Sequence, residues 1–208
     1  MDVPDHAIFT IGHSTHSAEE FLGLLRKHRV EAVADVRSSP FSRFNPQFNR
    51  ENLEDALKAH GIRYVFLGTE LGARSSDRSC YEDGRVVYER LSRTELFQSG
   101  LDRVERGSHK FRVALMCAEK EPLECHRTLL VADALAKRGC AVLHILGNGD
   151  LESHEDALDR LHDLTGVPRE DMFRSRDELR SEAMARQERQ VAYIDESHTT
   201  VSVREETT

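Results

Sequence analysis

Apolar positions along the chain alternate between two rhythms. "AIFTIGH" (7–13) is a short continuous apolar run, partly β-branched and closed by a glycine, which predicts a buried strand. "STHSAEEFLGLLRKH" then shifts to helical spacing, with Phe21, Leu24 and Leu25 in step and Ser17 and Glu20 set as a capping box ahead of them. "EAVADVRS" predicts a second strand. "NRENLEDALKAHG" predicts a second helix, with Leu53, Ala56 and Leu57 on one face and Gly61 as its stop. "IRYVFL" predicts a third strand. A helix over 93–106, the strand "FRVALMC", the helix "ECHRTLLVADALAKRG" and the strand "AVLHIL" continue the alternation. Strands alternating with helices predict a three-layer α/β sandwich with a mainly parallel sheet covered on both faces.

Two stretches break the rhythm. "GTELGARSSDRSCYEDGRVV" (68–87) has no periodicity of its own, and a loop of that length is usually functional or mobile. Past Gly149 the pattern turns amphipathic and charged. "HEDALDRLHDLTG" and "RDELRSEAMARQERQVAYI" read as helices that pack on the body or on a partner, with an end that frays after Asp195. The expected organisation is an α/β domain over 1–150 and a helical extension with an acidic tail over 151–208. No internal repeat is visible.

Composition narrows the class. With 38% hydrophobic and 32% charged residues the chain reads as soluble and globular, and no apolar run approaches the ~20 residues that span a bilayer. The start lacks a basic segment followed by an apolar one, so the cytoplasm is expected and no membrane partner is. Cys80, Cys117, Cys125 and Cys140 are too few and too scattered for a disulfide scaffold and read as reduced thiols or metal ligands. Residues 151–208 hold 15 acidic and 8 basic side chains, and residues 1–150 hold 22 and 21, so the acidity sits in the tail and a basic pocket in the body stays open.

Ligands of an open parallel sheet bind beyond the carboxyl ends of its strands. Three polar clusters fall there: His13 and Ser14; Asp35, Arg37, Ser39 and Arg43; and Cys117, Glu119, Cys125, His126 and Arg127. Arg37, Arg43 and Arg127 offer forked donors suited to phosphate or carboxylate, and a helix opening near Pro122–Glu124 would add backbone N–H groups. Cys125, placed in or near the first turn of that helix beside His126 and Arg127, is expected to have a depressed pKa and nucleophilic character. His13 and His126 suit proton transfer, and Glu119 could orient one of them. Bland readings stand beside these. Cys125, with Leu129 and Ala132 at i+4 and i+7, fits a small core residue. Cys117 divides between core and site, and Asp35 and Arg37 fit an internal ion pair. His144, mid-strand, reads as core. Cys117, Cys125 and His126 with His13 or Glu119 would suit zinc with an open position, but the spacing matches no standard zinc pattern, so no metal ligand and no cofactor is assigned.

The stretches "TIGHS", "ADVRSSPFSRFNPQFN", "LGTELGAR" and "LMCAEKEPLECHR", in this order across Ile8 to Leu146, resemble the bacterial and archaeal family called domain of unknown function 488. The resemblance implies a compact α/β domain with its motif residues around one site: His13, Ser14, Asp35, Arg37, Pro40, Ser42, Arg43, Cys117, Glu119, Pro122, Cys125, His126 and Arg127. It implies no particular reaction, and the "LGTELGAR" stretch departs from the family's pattern at Thr69 and Glu70.

The leading expectation is an enzyme or enzyme-like binder of an anionic ligand, a phosphate-bearing small molecule, nucleotide or nucleic acid. His13, Cys117, Glu119, Cys125 and His126 would be its catalytic candidates, and Ser14, Asp35, Arg37, Ser42, Arg43 and Arg127 would bind the ligand. The alternatives are a metal-binding or redox-sensing protein without turnover and an interaction module acting through its last helices. Substrate and oligomeric state are left open.

Overall fold

Side chains that alternate along the strands divide the interior into two apolar layers. Phe9 and Ile11 of strand β1 (Ile8–Gly12) face one side of the sheet with Val33, Ala114, Met116, Leu143 and Ile145, while Ile8, Ala32, Ala34, Val113, Leu115 and Val142 face the other. The computed structural model describes residues 3–198. After β1 come helix α1 (Ala18–Lys27), β2 (Ala32–Asp35), α2 (Arg50–Ala59) and β3 (Arg63–Phe66). Next are α3 (Gly68–Leu71), β4 (Tyr81–Glu82), β5 (Arg85–Val86), α4 (Tyr88–Ser92) and α5 (Glu95–Ser108). Then follow β6 (Val113–Cys117), a π-helical turn (Arg127–Ala132) running into α6 (Asp133–Lys137), and β7 (Val142–Ile145). Last are β8 (Leu151–Ser153), α7 (His154–Thr165) and α8 (Arg176–Val191).

The six-stranded sheet runs β3-β2-β6-β1-β7-β8, parallel throughout except for β8, which lies antiparallel on β7. Helices α1 and α2 cover one face through Phe21, Leu22, Leu25, Leu53 and Leu57. The other face takes α5 through Phe97, Leu101 and Val104, the π-helical turn and α6, and from the extension Leu158 and Leu161 of α7 and Leu179 and Ala183 of α8. The fold is the expected three-layer α/β sandwich with helices at the carboxyl end. The Ser17–Glu20 capping box is formed. Gly61, at φ 72, stops α2 in the left-handed conformation a side chain rarely adopts.

Three local expectations are corrected. The long aperiodic stretch carries α3, a 3-10 turn (Arg78–Cys80) and the β4–β5 hairpin, each too short to leave a rhythm in the sequence. The helix placed over 93–106 is broken at Arg93, and α5 begins only after the Thr94 side chain caps it from Phe97 N–H. The helix read from Glu124 onward starts later, because Pro122–Glu124 form a separate 3-10 turn and Cys125 is extended. The extension packs on the body, where Gln187 Nε2 donates to Leu123 O at 3.0 Å and Glu188 Oε1 accepts from Tyr88 N–H at 2.7 Å. Glu196–His198 make a 3-10 turn. The fraying expected further on lies outside the described residues from 199. Among the described residues no helix is long and apolar enough to cross a membrane.

Candidate functional site

Strands β2, β6 and β1 are neighbours, so the three polar clusters meet at one carboxyl edge. The backbone stitches them together beyond the strands: His13 N–H donates to Cys117 O at 2.9 Å, Ser14 N–H to Ala118 O at 2.8 Å, and Val36 N–H to Met116 O at 3.0 Å. Gly12 permits the closest approach, since a Cβ there would sit 1.8 Å from the carbonyl oxygen of Glu119.

Cys117 ends β6, and a tight loop returns the chain to Cys125 and His126. Cys125 caps the helical segment that follows: its carbonyl accepts from Leu129 N–H at 3.1 Å and its Sγ from Arg127 N–H at 3.4 Å. The Cys125 thiol donates to Glu119 Oε2 at 2.9 Å. His126 Nδ1 lies 3.7 Å from Cys117 Sγ and 3.8 Å from Cys125 Sγ, while its Nε2–H donates to Val36 O at 3.1 Å. Ligand atoms of Cys117, Glu119, Cys125 and His126 all lie within 4.8 Å of one another. Both thiols and the imidazole are buried, and Glu119 stands exposed at the rim.

These contacts separate the two thiols electrostatically. Burial raises the pKa of Cys117, and the Cys125 sulfur beside it raises it further. Burial also opposes ionisation of Cys125, but the hydrogen bond from Cys117, the Arg127 charge and His126 outweigh it and bring that thiol well below its usual range. Burial works against the His126 imidazolium, yet the Cys125 thiolate overcomes it and raises the pKa. Desolvation of its carboxyl against the thiols and the Cys125 charge together raise that of Glu119, although the residue as a whole is exposed. The carboxyl and the thiol 2.9 Å from it therefore compete for one proton.

Beside this cluster lies a rigid cationic unit. Arg37 grips Asp35 through Nε (2.9 Å) and Nη2 (2.7 Å), and Nη2 also donates to Phe48 O at 2.9 Å. Tyr64 Oη donates to the same carboxylate at 2.8 Å. Arg37 Nη1 meets His13 Nε2 at 3.2 Å, and His13 Nδ1 faces Ser14 O at 2.9 Å, which fixes the Nδ1–H tautomer with Nε2 as acceptor. Burial, with the Arg37 charge adding to it, lowers the His13 pKa to about 4. His13 is thus neutral at physiological pH, and its Nε2 helps to orient Arg37. The ion pair weighed for Asp35 and Arg37 is present.

Other candidates fall elsewhere. Arg127 is fully buried and donates to Glu119 O at 2.6 Å and Lys120 O at 3.3 Å, so it shapes the Glu119 loop and supplies charge behind Cys125. Ser42 caps its own loop, accepting from Phe44 N–H and Asn45 N–H, both at 3.2 Å. Arg43 is exposed on that loop, and neither it nor Ser42 lines the cavity over the thiols. Ser14 contributes its backbone, at φ 48. The cavity, ≈ 260 Å³, is lined by Arg37, Cys117, Glu119, Cys125 and His126 together with Ser38, Ser39, Arg74, Tyr88 and Tyr193. Of these last five only Ser39 was singled out from the sequence. Arg74 in "LGAR" and Tyr193 at the end of the last amphipathic run gave the only hints. Larger hollows of ≈ 520 and ≈ 700 Å³ lie along α7 and α8 and hold no thiol.

Fold and site together define an α/β protein with a buried two-thiol, one-imidazole cluster opening into a small cavity at the carboxyl edge of its sheet. Residues 17–135, more than half of the chain, match the family described as "Domain of unknown function DUF488", and the chain belongs to that family. The match is narrower than the span of the resemblance. It takes in Asp35, Arg37 and the whole segment from Cys117 to Arg127, and leaves out His13, Ser14 and the extension. Comparison with curated proteins and with solved structures gives no match.

Proposed function

We propose that this chain is a metal-dependent enzyme whose centre is Cys117, Cys125 and His126, with Glu119 at the fourth corner. The observation that carries this is the mutual closeness of the four ligand atoms, all within 4.8 Å. The S···N separations of 3.7 and 3.8 Å are close to the ~3.6 Å edge of a zinc tetrahedron built from ~2.3 Å Zn–S and ~2.05 Å Zn–N bonds. His126 has the second contact that ligating histidines make, its Nε2–H held by a backbone carbonyl so that Nδ1 faces the sulfurs. A structural zinc is enclosed by four ligands, whereas a catalytic one keeps a position open. All four residues line the cavity and Glu119 is exposed, so Glu119 is the displaceable ligand and a base at hand once displaced.

The test is elemental analysis of the purified protein, with stoichiometry followed through chelation. One zinc or similar cation per chain, lost in Cys125→Ser and His126→Ala, supports the reading. A metal-free protein that takes up no added zinc refutes it. The short Cys125–Glu119 contact and the Arg127 N–H on Cys125 Sγ favour a second reading, a thiolate nucleophile. That reading predicts no metal and one fast-alkylating thiol that vanishes in Cys125→Ser.

A further inference from the structure

Part of the cavity wall, Val191 and Tyr193, comes from beyond the family-matched segment. Tyr193 is brought there by the end of α8: Val86 N–H donates to Tyr193 O at 3.0 Å and Asp195 N–H to Gly84 O at 2.7 Å, so the chain after α8 runs along the β4–β5 hairpin. The Tyr193 ring carries the Arg74 guanidinium, 4.5 Å from its centroid. From below, Arg74 N–H donates to Ser38 Oγ at 3.0 Å, which ties the same residue to the loop after Arg37.

Arg74 differs from the arginines around it. Arg37 is paired with Asp35, Arg78 with Asp195, Arg90 with Glu82 and Arg103 with Glu70. Among the described residues no carboxylate pairs with Arg74, although it lines the cavity. A cation held in place by an aromatic ring and left without a counter-ion, facing a concave space, is a site for a ligand's negative charge. Further donors share that space. The Arg37 guanidinium has four N–H contacts within the protein and one Nη1 N–H remaining, and Ser38 and Ser39 line the same wall. Donors from two segments, 37–39 and Arg74, suit a tetrahedral anion with several oxygens better than a planar carboxylate.

The geometry points to a phosphate-binding subsite formed by Arg74, Ser38 and Arg37 and held by Tyr193 of the carboxyl-terminal extension, for a small phosphate-bearing ligand. This rests on the metal reading in one respect, since a bound cation offsets the thiolate charge that otherwise repels an anion. Tyr193 is a positioning residue here, and its ring rather than its hydroxyl does the positioning.

The experiment is calorimetric titration of inorganic phosphate, at constant ionic strength, into the full chain and its Arg74→Gln, Arg74→Lys, Tyr193→Ala and Tyr193→Phe variants, each assayed for bound metal. The expected result is saturable binding to the wild type. Affinity falls about tenfold or more in Arg74→Gln, the scale of one charge-assisted hydrogen bond. It also falls in Tyr193→Ala, is retained in Tyr193→Phe and partly retained in Arg74→Lys, with metal content unchanged throughout. Metal present but phosphate bound equally by wild type and Arg74→Gln, or by neither, overturns the subsite and leaves the metal centre standing. Arg74-dependent phosphate binding in a protein that holds no metal and takes up no added zinc upholds the subsite and sinks the metal centre.

Discussion

Burial against Phe48 and Arg37 decides what His13 contributes. Its ring stacks on Phe48 at 4.3 Å and its Nε2 accepts from Arg37 Nη1, so a proton on that nitrogen would face a cation. The folded pKa of about 4 lies below the ordinary 6.5, and the unfolded chain therefore binds more protons between those values. The stability His13 supports is complete above about pH 6.5 and is lost as pH falls toward and through about 4. Between about pH 7.5 and about pH 5 this residue should account for about 2 kcal/mol of lost stability. Urea unfolding at both pH values checks it: the wild type should lose that much more than His13→Asn, and equal losses would refute the assignment. Gly12 gives a steric counterpart. Gly12→Ala places a methyl 1.8 Å from Glu119 O, a backbone atom that cannot rotate away, so a loss of about 3 kcal/mol or more is expected by thermal or urea unfolding. A loss below about 1 kcal/mol would mean that the Glu119 loop moves freely. At this scale the sequence named the cluster but not which arginines line the cavity, Arg37 and Arg74. Asp35, Arg37, Cys117, Glu119, Cys125 and His126 assemble at the sheet edge because the edge rule needs only strand ends. Whether an arginine points into the cavity depends on local turns. Arg127 is drawn inward by the carbonyls of Glu119 and Lys120, Arg43 lies outside on a loop, and Arg74 reaches the cavity from a stretch with no periodic signal.

Among the elements, α8 joins the sheet's apolar layer to the cavity wall. Its buried stripe is narrow, Leu179, Ala183 and Gln187, which is why its mostly charged sequence gave only a thin apolar pattern. Leu179 is fully buried, and Leu179→Ala should cost about 2–5 kcal/mol by urea unfolding. If α8 instead sat loosely on the body, the cost would stay under about 1 kcal/mol. Of the five parallel strands, β1, β2, β6 and β7 were legible because each is an apolar run buried on both sides, the edge strand β3 because of its β-branched and aromatic residues, and α1 and α2 because their stripes and stop signals agree. β8 and the β4–β5 hairpin were not, since two- or three-residue strands cannot show a period. The start of the helical segment after β6 was misplaced for a different reason. Pro122 fits a helix's first position as well as a 3-10 turn, and nothing in "PLECHR" tells the two apart. The consequence is chemical, because Cys125 becomes the extended cap whose sulfur turns back toward Glu119 and His126.

The cluster ties together parts of the chain far apart in sequence. Cys117 closes β6, Cys125 and His126 open the π-helical turn, and His126 reaches across to Val36 after β2. In the unfolded chain these groups have no common geometry, so a cation bound there stabilises the folded state alone. By mass action a free cation at about 100 times its dissociation constant adds about 2.7 kcal/mol. For a chain of 208 residues that corresponds to a rise of about 5–10 °C in Tm. Zinc added to chelator-stripped protein should therefore raise Tm by that amount and a chelator should reverse it, while Cys125→Ser and Cys117→Ser should show no response. Because the Arg37 guanidinium braces the site through Asp35, His13 and Phe48 without a hydrogen bond to the four ligand atoms, Arg37→Met should unfold earlier than wild type yet keep most of the zinc-dependent rise. If Tm ignores zinc in the wild type, the four residues do not form a metal centre, and the proton competed for by Glu119 and Cys125 becomes the chemistry to follow.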